Sequence, residues 1–234
     1  MRKTAITLLA LGLVAMMAAS AYASNVVRIS QVYGGGGNTG APYLYDYVEL
    51  FNSGPVPVDI SGWSLQYGSA TGTSNLGACT NCLCVLPQGA SIPACGYYLV
   101  QLAPGTTVTN VPLPVPADYV MPAATATNLS GTSGKIGLYA GSATQPCIPL
   151  NAFVDLVGYG TANCYEGAAR AGTLSNSSMA VRNGGGMVDT DQNGSDFTVV
   201  TNAVPRNSQS LLNADCLAVP AKPATWGSVK VMYR

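Results

Sequence analysis

The stretch DTDQNGSD, Asp189 to Asp196, holds the densest set of metal-ligating side chains in the chain. Asp189, Asp191 and Asn193 repeat the D-x-D-x-N-G opening of a calcium loop, and Asp196 adds a fourth oxygen donor. Calcium takes this kind of hard oxygen cage. The twelfth position of such a loop calls for a bidentate Glu, and here it is Val200. No helical pattern flanks the stretch. The same letters also fit a plain Asx-rich turn, so calcium is a candidate cofactor and none is certain. Other carboxylates are scattered. Asp46 and Glu49 fall on opposite faces of one strand pattern, which suits a loop contact and an exposed strand residue better than a paired-acid site. Asp155 sits in an apolar run, and Arg182 and Arg206 are available to pair with these acids.

The chain contains no histidine. That removes Ser-His-Asp triads, Cys-His dyads, His-ligated zinc and His general bases together. An enzyme here would have to work with carboxylates, Tyr, Lys or a carboxylate-bound metal. The expectation is a non-enzyme, with a carboxylate hydrolase using calcium as the rival and a subunit of a surface assembly as a third class.

Seven cysteines remain to be placed. Cys79, Cys82, Cys84 and Cys95 could make two bridges across a hairpin and its loop; four thiolates at this spacing also resemble a zinc site. Cys147 and Cys164 flank a strand-like run and are the third candidate pair. The odd count leaves one thiol, and Cys216 is assigned to it, free or intermolecular.

Residues 1–23 read as a secretory signal peptide: Arg2 and Lys3, an apolar run from Ile6 to Ala18, then Ala21-Tyr22-Ala23. The apolar run is short for a membrane span, and no later stretch is long and apolar enough. The expectation is export to the periplasm, the cell surface or the medium. Removing the first 23 residues leaves eight basic residues against ten acidic, with no basic cluster, which argues against nucleic acid as a partner.

The elements that must position these residues are β throughout. NVVRISQVY (25–33) places Val27, Ile29 and Gln31 on one face; DYVELFN (46–52) places Val48 and Leu50 on one face and Tyr47, Glu49 and Phe51 on the other. WSLQYG, CVL, YYLVQLA, KIGLYAG, FVDLVGYG and SMAVR follow, each bounded by Gly, Pro, Asn or Ser. Trp63 reads as core. Short strands at this spacing predict a sandwich or barrel. Asn163–Gly172 is the one helix candidate. Residues 103–127 carry five prolines and read as a long, partly extended crossover. The run YGGGGNTG (33–40) raises a phosphate loop, but an alternating aromatic strand follows it rather than a helix. It is predicted to be a flexible connection using glycine for positive φ. Tyr33, Tyr43, Tyr45 and Tyr47 crowd that loop and form a candidate ligand surface for a protein or glycan, with sandwich packing as the alternative.

SQVYGGGGNTGAPYLYDYVELFNSG followed by DISGWSLQYGSATG resembles the opening of a bacterial lamin tail domain. IPACGYYLVQLA, KIGLYAG, VDLVGYGTANCYEG, DTDQNGSDF and PRNS continue the likeness over most of the chain. The resemblance implies an all-β, immunoglobulin-like β-sandwich, placed at 24–216, with 217–234 as a linker and short C-terminal tail. It implies an accessory interaction module and carries no catalytic residues. CTNCLC and the proline-rich stretch depart from its simple form.

Overall fold

The computed structural model describes residues 26–105, 111–148 and 150–217. The predicted signal peptide and the tail from 218 onward lie outside the described residues. Among the described residues there are twelve strands: β1 (Val27–Tyr33), β2 (Tyr45–Asn52), β3 (Val58–Asp59), β4 (Ser64–Ser69), β5 (Leu83–Val85), β6 (Ser91–Ile92), β7 (Tyr97–Pro104), β8 (Tyr119–Val120), β9 (Gly134–Tyr139), β10 (Asp155–Tyr159), β11 (Ser178–Arg182) and β12 (Phe197–Thr201).

They form a six-stranded sheet, β12-β11-β1-β2-β7-β8, a four-stranded sheet, β10-β9-β4-β5, and a small β3-β6 pair. The facing sides of the two larger sheets share one apolar core. Ile29, Val48, Leu50 and Val100 come from the first sheet, and Leu65, Ile136, Leu138 and Val157 from the second; Trp63 packs among them. This is the immunoglobulin-like sandwich expected of the alternating pattern.

Two local features depart from simple alternation. A bulge at Ser30 shifts the β1–β2 register, so Ile29 faces Leu50 and Gln31 faces Glu49. It keeps Val32 in the core and turns Gln31 and Tyr33 to the outer side. Gln31 therefore does not share a face with Val27 and Ile29, as strict alternation predicts. The proline-rich crossover contributes β8, which runs parallel to β7, and buries Leu113, Met121, Ala126 and Leu129. Its Asp118 accepts hydrogen bonds from the Leu99 amide (2.7 Å) and from the backbone and side chain of Ser208.

The predicted helix at 163–172 is absent. That stretch is an irregular loop, with Gly167 at φ +78° and Ala171 bridged to Tyr159. Glu166 and Asn193 take up its backbone groups in place of a helical ladder: the Glu166 amide donates to Asn193 Oδ1, and the Asn193 amide to the Glu166 carbonyl.

The glycine run is not a flexible connection. Gly34 to Gly37 are all buried. A Cβ on Gly34 would stand 2.8 Å from the Ser130 carbonyl carbon, one on Gly35 would stand 2.5 Å from the Asn176 carbonyl oxygen, and one on Gly36 would stand 2.5 Å from the Asp46 amide nitrogen. Only Gly37 of the four has a positive φ, at 62°. The run consists of glycine because three backbones converge on it, so close approach, more than conformational freedom, sets the residue type.

Candidate functional site

The charged residues singled out by sequence fall into three buried centres, each at a junction between a strand and a loop. The first surrounds Arg182, the last residue of β11, whose side chain is fully buried. Its Nη2 donates to both Asp155 oxygens at 2.8 and 2.6 Å, its Nε to the Ile29 carbonyl at 2.9 Å, and its Nη1 to Asp189 Oδ1 at 2.9 Å. The Phe197 ring lies 4.5 Å beneath the guanidinium carbon. Arg28 closes the other side, 2.9 Å from Asp189 Oδ2. The Ile29 amide also donates to Asp155 at 2.6 Å, so this carboxylate holds β10 of one sheet to β1 and β11 of the other.

Glu166 borders this centre and accepts from the Leu156 amide and Asn193 Nδ2 at 3.2 Å each. Burial, with Asp155 as the nearest like charge, pushes its carboxyl up to about 9, so it is protonated at neutral pH. One oxygen from each of Asp155, Glu166 and Asp189 lies within 4.8 Å of the others. That trio is the arrangement that could hold a hard cation, but both arginines already neutralise two of its members.

The four calcium-loop candidates do not converge. Asp189 turns to Arg28 and Arg182. Asp191 is exposed, in the left-handed region at φ 54°. Asn193 is buried in the opposite sense: its Oδ1 accepts the Gly158 amide at 2.8 Å, and its Nδ2 donates to the Leu156 carbonyl at 2.9 Å. Asp196 accepts from the Thr190 amide and hydroxyl and the Gln192 amide. Burial raises its carboxyl, yet these bonds outweigh it and hold the group below the ordinary carboxylate range. The stretch ends in one helical turn, Asn193–Asp196, closes on itself through Asp196, and plugs β10 through Asn193.

The second centre contains Glu49, which the alternation of β2 placed at an exposed position. It is fully buried. The reason is the segment after β12, which lays Arg206 across the outer side of the sheet. Arg206 Nη2 donates to Glu49 Oε1 at 2.7 Å, and its backbone amide to Oε2 at 2.6 Å. Ser30 and Gln31 add two further donors, at 2.6 and 3.2 Å. Arg206 also stacks 3.7 Å from the Tyr97 ring centroid. Burial raises the Glu49 carboxyl, and Arg206 opposes the rise.

The third centre is Asp46, at the start of β2, with only backbone donors. Gly36 of the glycine run donates to Oδ1 and Leu129 of the crossover to Oδ2, both at 2.8 Å. Burial pushes this carboxyl up to about 7, against the pull of the two amides.

The candidate tyrosine surface is interior. Tyr33, Tyr43 and Tyr47 are buried, with ring centroids 5.4 to 6.4 Å apart, and pack with Leu99, Leu113 and Met179; Tyr45 is half-buried beside them. The crossover covers what β1 and β2 alone would expose. Hydroxyl ends are satisfied locally: Tyr33 donates to the Asn176 carbonyl and Tyr47 to Gln31 Oε1.

The cysteines pair as Cys79–Cys82, Cys95–Cys216 and Cys147–Cys164. Cys84 is the free thiol, and it is buried. This corrects two expectations. Cys84 belongs to no bridge, because its strand β5 turns it into the sandwich core beside Leu65. Cys216 is not the odd thiol, because Asn213 caps the helical turn Ala214–Leu217 and docks it beside Cys95 by donating its amide to the Cys95 carbonyl at 2.9 Å.

Sequence reasoning passed over Glu166, Arg28 and Lys135. Lys135, on β9, is buried and donates to the Gly72 carbonyl at 2.6 Å and to the Asn163 side chain. A usable signal was present: with 9% charged residues, a charge inside an apolar strand such as GKIGLY or SMAVR marks a paired, buried group.

The Lamin Tail Domain family model matches residues 20–161. Among solved structures, a DUF4876 family protein from Bacteroides thetaiotaomicron VPI-5482 is similar at 11% identity and a TM-score of 0.49, over 86% of this chain and 75% of that one. No curated protein matches. The family match spans the glycine run, the β2 and β4 patterns and the chain through β10, and on that footing the chain belongs to the lamin tail domain family.

Proposed function

We propose that the protein is an exported, non-enzymatic binding or structural module that acts at the cell surface or outside the cell through protein or glycan contacts. The observation that carries this reading is the use of its charges. Asp46, Glu49, Asp155, Arg182 and Arg206, five of the residues best suited to chemistry, are bound into the scaffold and hold its loops to its strands. Family membership and three disulfides support the same reading, since disulfides persist in oxidising compartments. Among the described residues no helix is long and apolar enough to cross a membrane.

A second reading is a calcium-dependent hydrolase. The observation in its favour is the grouping of Asp155, Glu166 and Asp189. Cys84, the free thiol, is buried, so a covalently joined surface assembly would have to form through another cysteine.

The test is a pair of measurements on the oxidised chain without its first 23 residues. Saturable binding to washed cells or to a glycan panel, competed by unlabelled protein and independent of calcium, supports the module. Turnover of phosphate esters or glycosides that needs calcium and is lost in Asp189→Asn overturns it in favour of the hydrolase.

A further inference from the structure

Of the six bridged cysteines, only Cys79 is exposed. It sits in the loop joining β4 to β5, in the sequence Cys79-Thr80-Asn81-Cys82. Asn81 takes φ 59°, and the Cys82 amide donates to the Cys79 carbonyl at 3.2 Å, so a tight turn brings the two sulfurs together. Thr80 and Asn81 are exposed as well. Cys82 lies against the core, 6% exposed. One bridge therefore joins an exposed cysteine to a sheltered one.

Its covalent context differs from the other two bridges. Cys79 and Cys82 are 3 residues apart, Cys147 and Cys164 are 17 apart, and Cys95 and Cys216 are 121 apart. In the folded protein a bridge opens according to thiol access to one of its sulfurs and to how much structure its opening disturbs. Removal of Cys79–Cys82 frees no strand. Cys147–Cys164 ties the loop before β10 to the loop after it, and Cys95–Cys216 ties the turn Ala214–Leu217 to the loop before β7.

We propose that Cys79–Cys82 is a thiol-exchange site, at which a small-molecule thiol or an exposed cysteine of another protein is reversibly joined to Cys79. An incoming thiolate attacks Cys79 Sγ. The new sulfur–sulfur bond forms to Cys79 as the Cys79–Cys82 bond breaks, and Cys82 Sγ leaves with the electron pair and takes a proton from water. Return of the Cys82 thiolate on Cys79 expels the incoming thiol and restores the bridge. A second equivalent of thiol instead completes reduction, giving the Cys79/Cys82 dithiol and the oxidised form of the reagent. Cys84, two residues on, takes no part: it is buried in the core, and burial pushes its thiol up to about 12.

The native protein is titrated with graded glutathione redox buffers, quenched with an alkylating agent and mapped by peptide mass spectrometry, with near-UV circular dichroism in parallel. The expected result is that Cys79 and Cys82 open first and the other two bridges only at a more reducing poise, with tertiary signal retained through the first step. In Cys82→Ser, Cys79 should carry one glutathione as a mixed disulfide. In Cys79→Ser, the sheltered Cys82 should carry far less. Opening of all three bridges together with loss of tertiary signal overturns the proposal, as does equal labelling of the two variants. Loss of exchange in Cys84→Ala overturns the two-sulfur assignment. The wild-type titration decides the order of opening without any variant.

Discussion

Replacing Asp46 by Asn should invert its effect on stability between acidic and alkaline pH. Asp46 is 2% exposed, and its two oxygens accept only backbone amides, from Gly36 and Leu129 at 2.8 Å. Burial raises its carboxyl from 3.8 to about 7 in the folded protein. The native state therefore holds the proton more tightly than the unfolded chain does. For a raised carboxyl the native state is most favoured below the unfolded value, and stability falls as pH rises from about 4 to about 7, then levels. A rise of about 3 pH units corresponds to about 4 kcal/mol of ionisation penalty at pH 8.

The Asn side chain keeps one acceptor oxygen and turns its NH2 toward the second amide. That leaves a buried donor unmatched, at about 1–3 kcal/mol. At pH 4 the variant should therefore be the less stable protein. At pH 8 it avoids the ionisation penalty and should be the more stable by about 1–3 kcal/mol, with the curves crossing near pH 5–6. Urea unfolding of both proteins at pH 4, 6 and 8 checks this. Taking the difference between them cancels the titration of Glu49 and Glu166, which also shift upward. A variant-minus-wild-type difference that stays constant across the range would refute the reasoning. It would mean that the two amides alone hold Asp46 ionised as well as water does.

The other expectations concern the same scaffold. Removing Cys95–Cys216 as a double Ser variant opens a constraint across 121 residues and should cost about 4–5 kcal/mol in urea unfolding, whereas the same change at Cys79 and Cys82 should cost about 2 kcal/mol or less. A thiol reagent should count one free cysteine, and only after denaturation, since Cys84 is buried. Gly36→Ala should cost about 3 kcal/mol or more, because its Cβ would meet the backbone of Tyr45 and Asp46; Gly40→Ala, in open space at φ +81°, should cost only about 1 kcal/mol, read as midpoint shifts in one urea series. Arg182→Met strands Asp155 as a buried unpaired charge and should cost about 3–5 kcal/mol, of which Arg182→Met with Asp155→Asn should recover a measurable part in the double-mutant cycle.

What was legible in the sequence was whatever depends on one strand at a time. Val48 and Leu50 alternate into the core, Trp63 packs between the sheets, and the Gly and Pro boundaries fall where strands end, because period two and turn chemistry are local properties. The misreadings share one physical source: a distant segment covers what the strand alone leaves open. Glu49 looks exposed until Arg206, 157 residues later, lies over it. Tyr33, Tyr43 and Tyr47 look like a surface until Leu113 of the crossover closes the cluster. Cys216 looks unpaired because nothing within the CTNCLC stretch points to a partner 121 residues from Cys95.

The glycine run makes the same point from the other direction. Local rules assign four glycines to flexibility, but here they record the crossing of backbones from Ser130, Asn176 and Tyr45, none of which can be inferred from residues 33–40. The candidate site follows this logic too. The DTDQNGSD letters mark a place where oxygens matter, and three of the four side chains hold Arg28, Arg182 and the amides of β10 and the Thr190 turn. In a chain with so few charges, each buried carboxylate is matched to a donor on another segment. The spacing of such residues therefore reports the architecture first, and chemistry only where an atom is left open to solvent. The exposed Cys79 of the Cys79–Cys82 turn meets that condition.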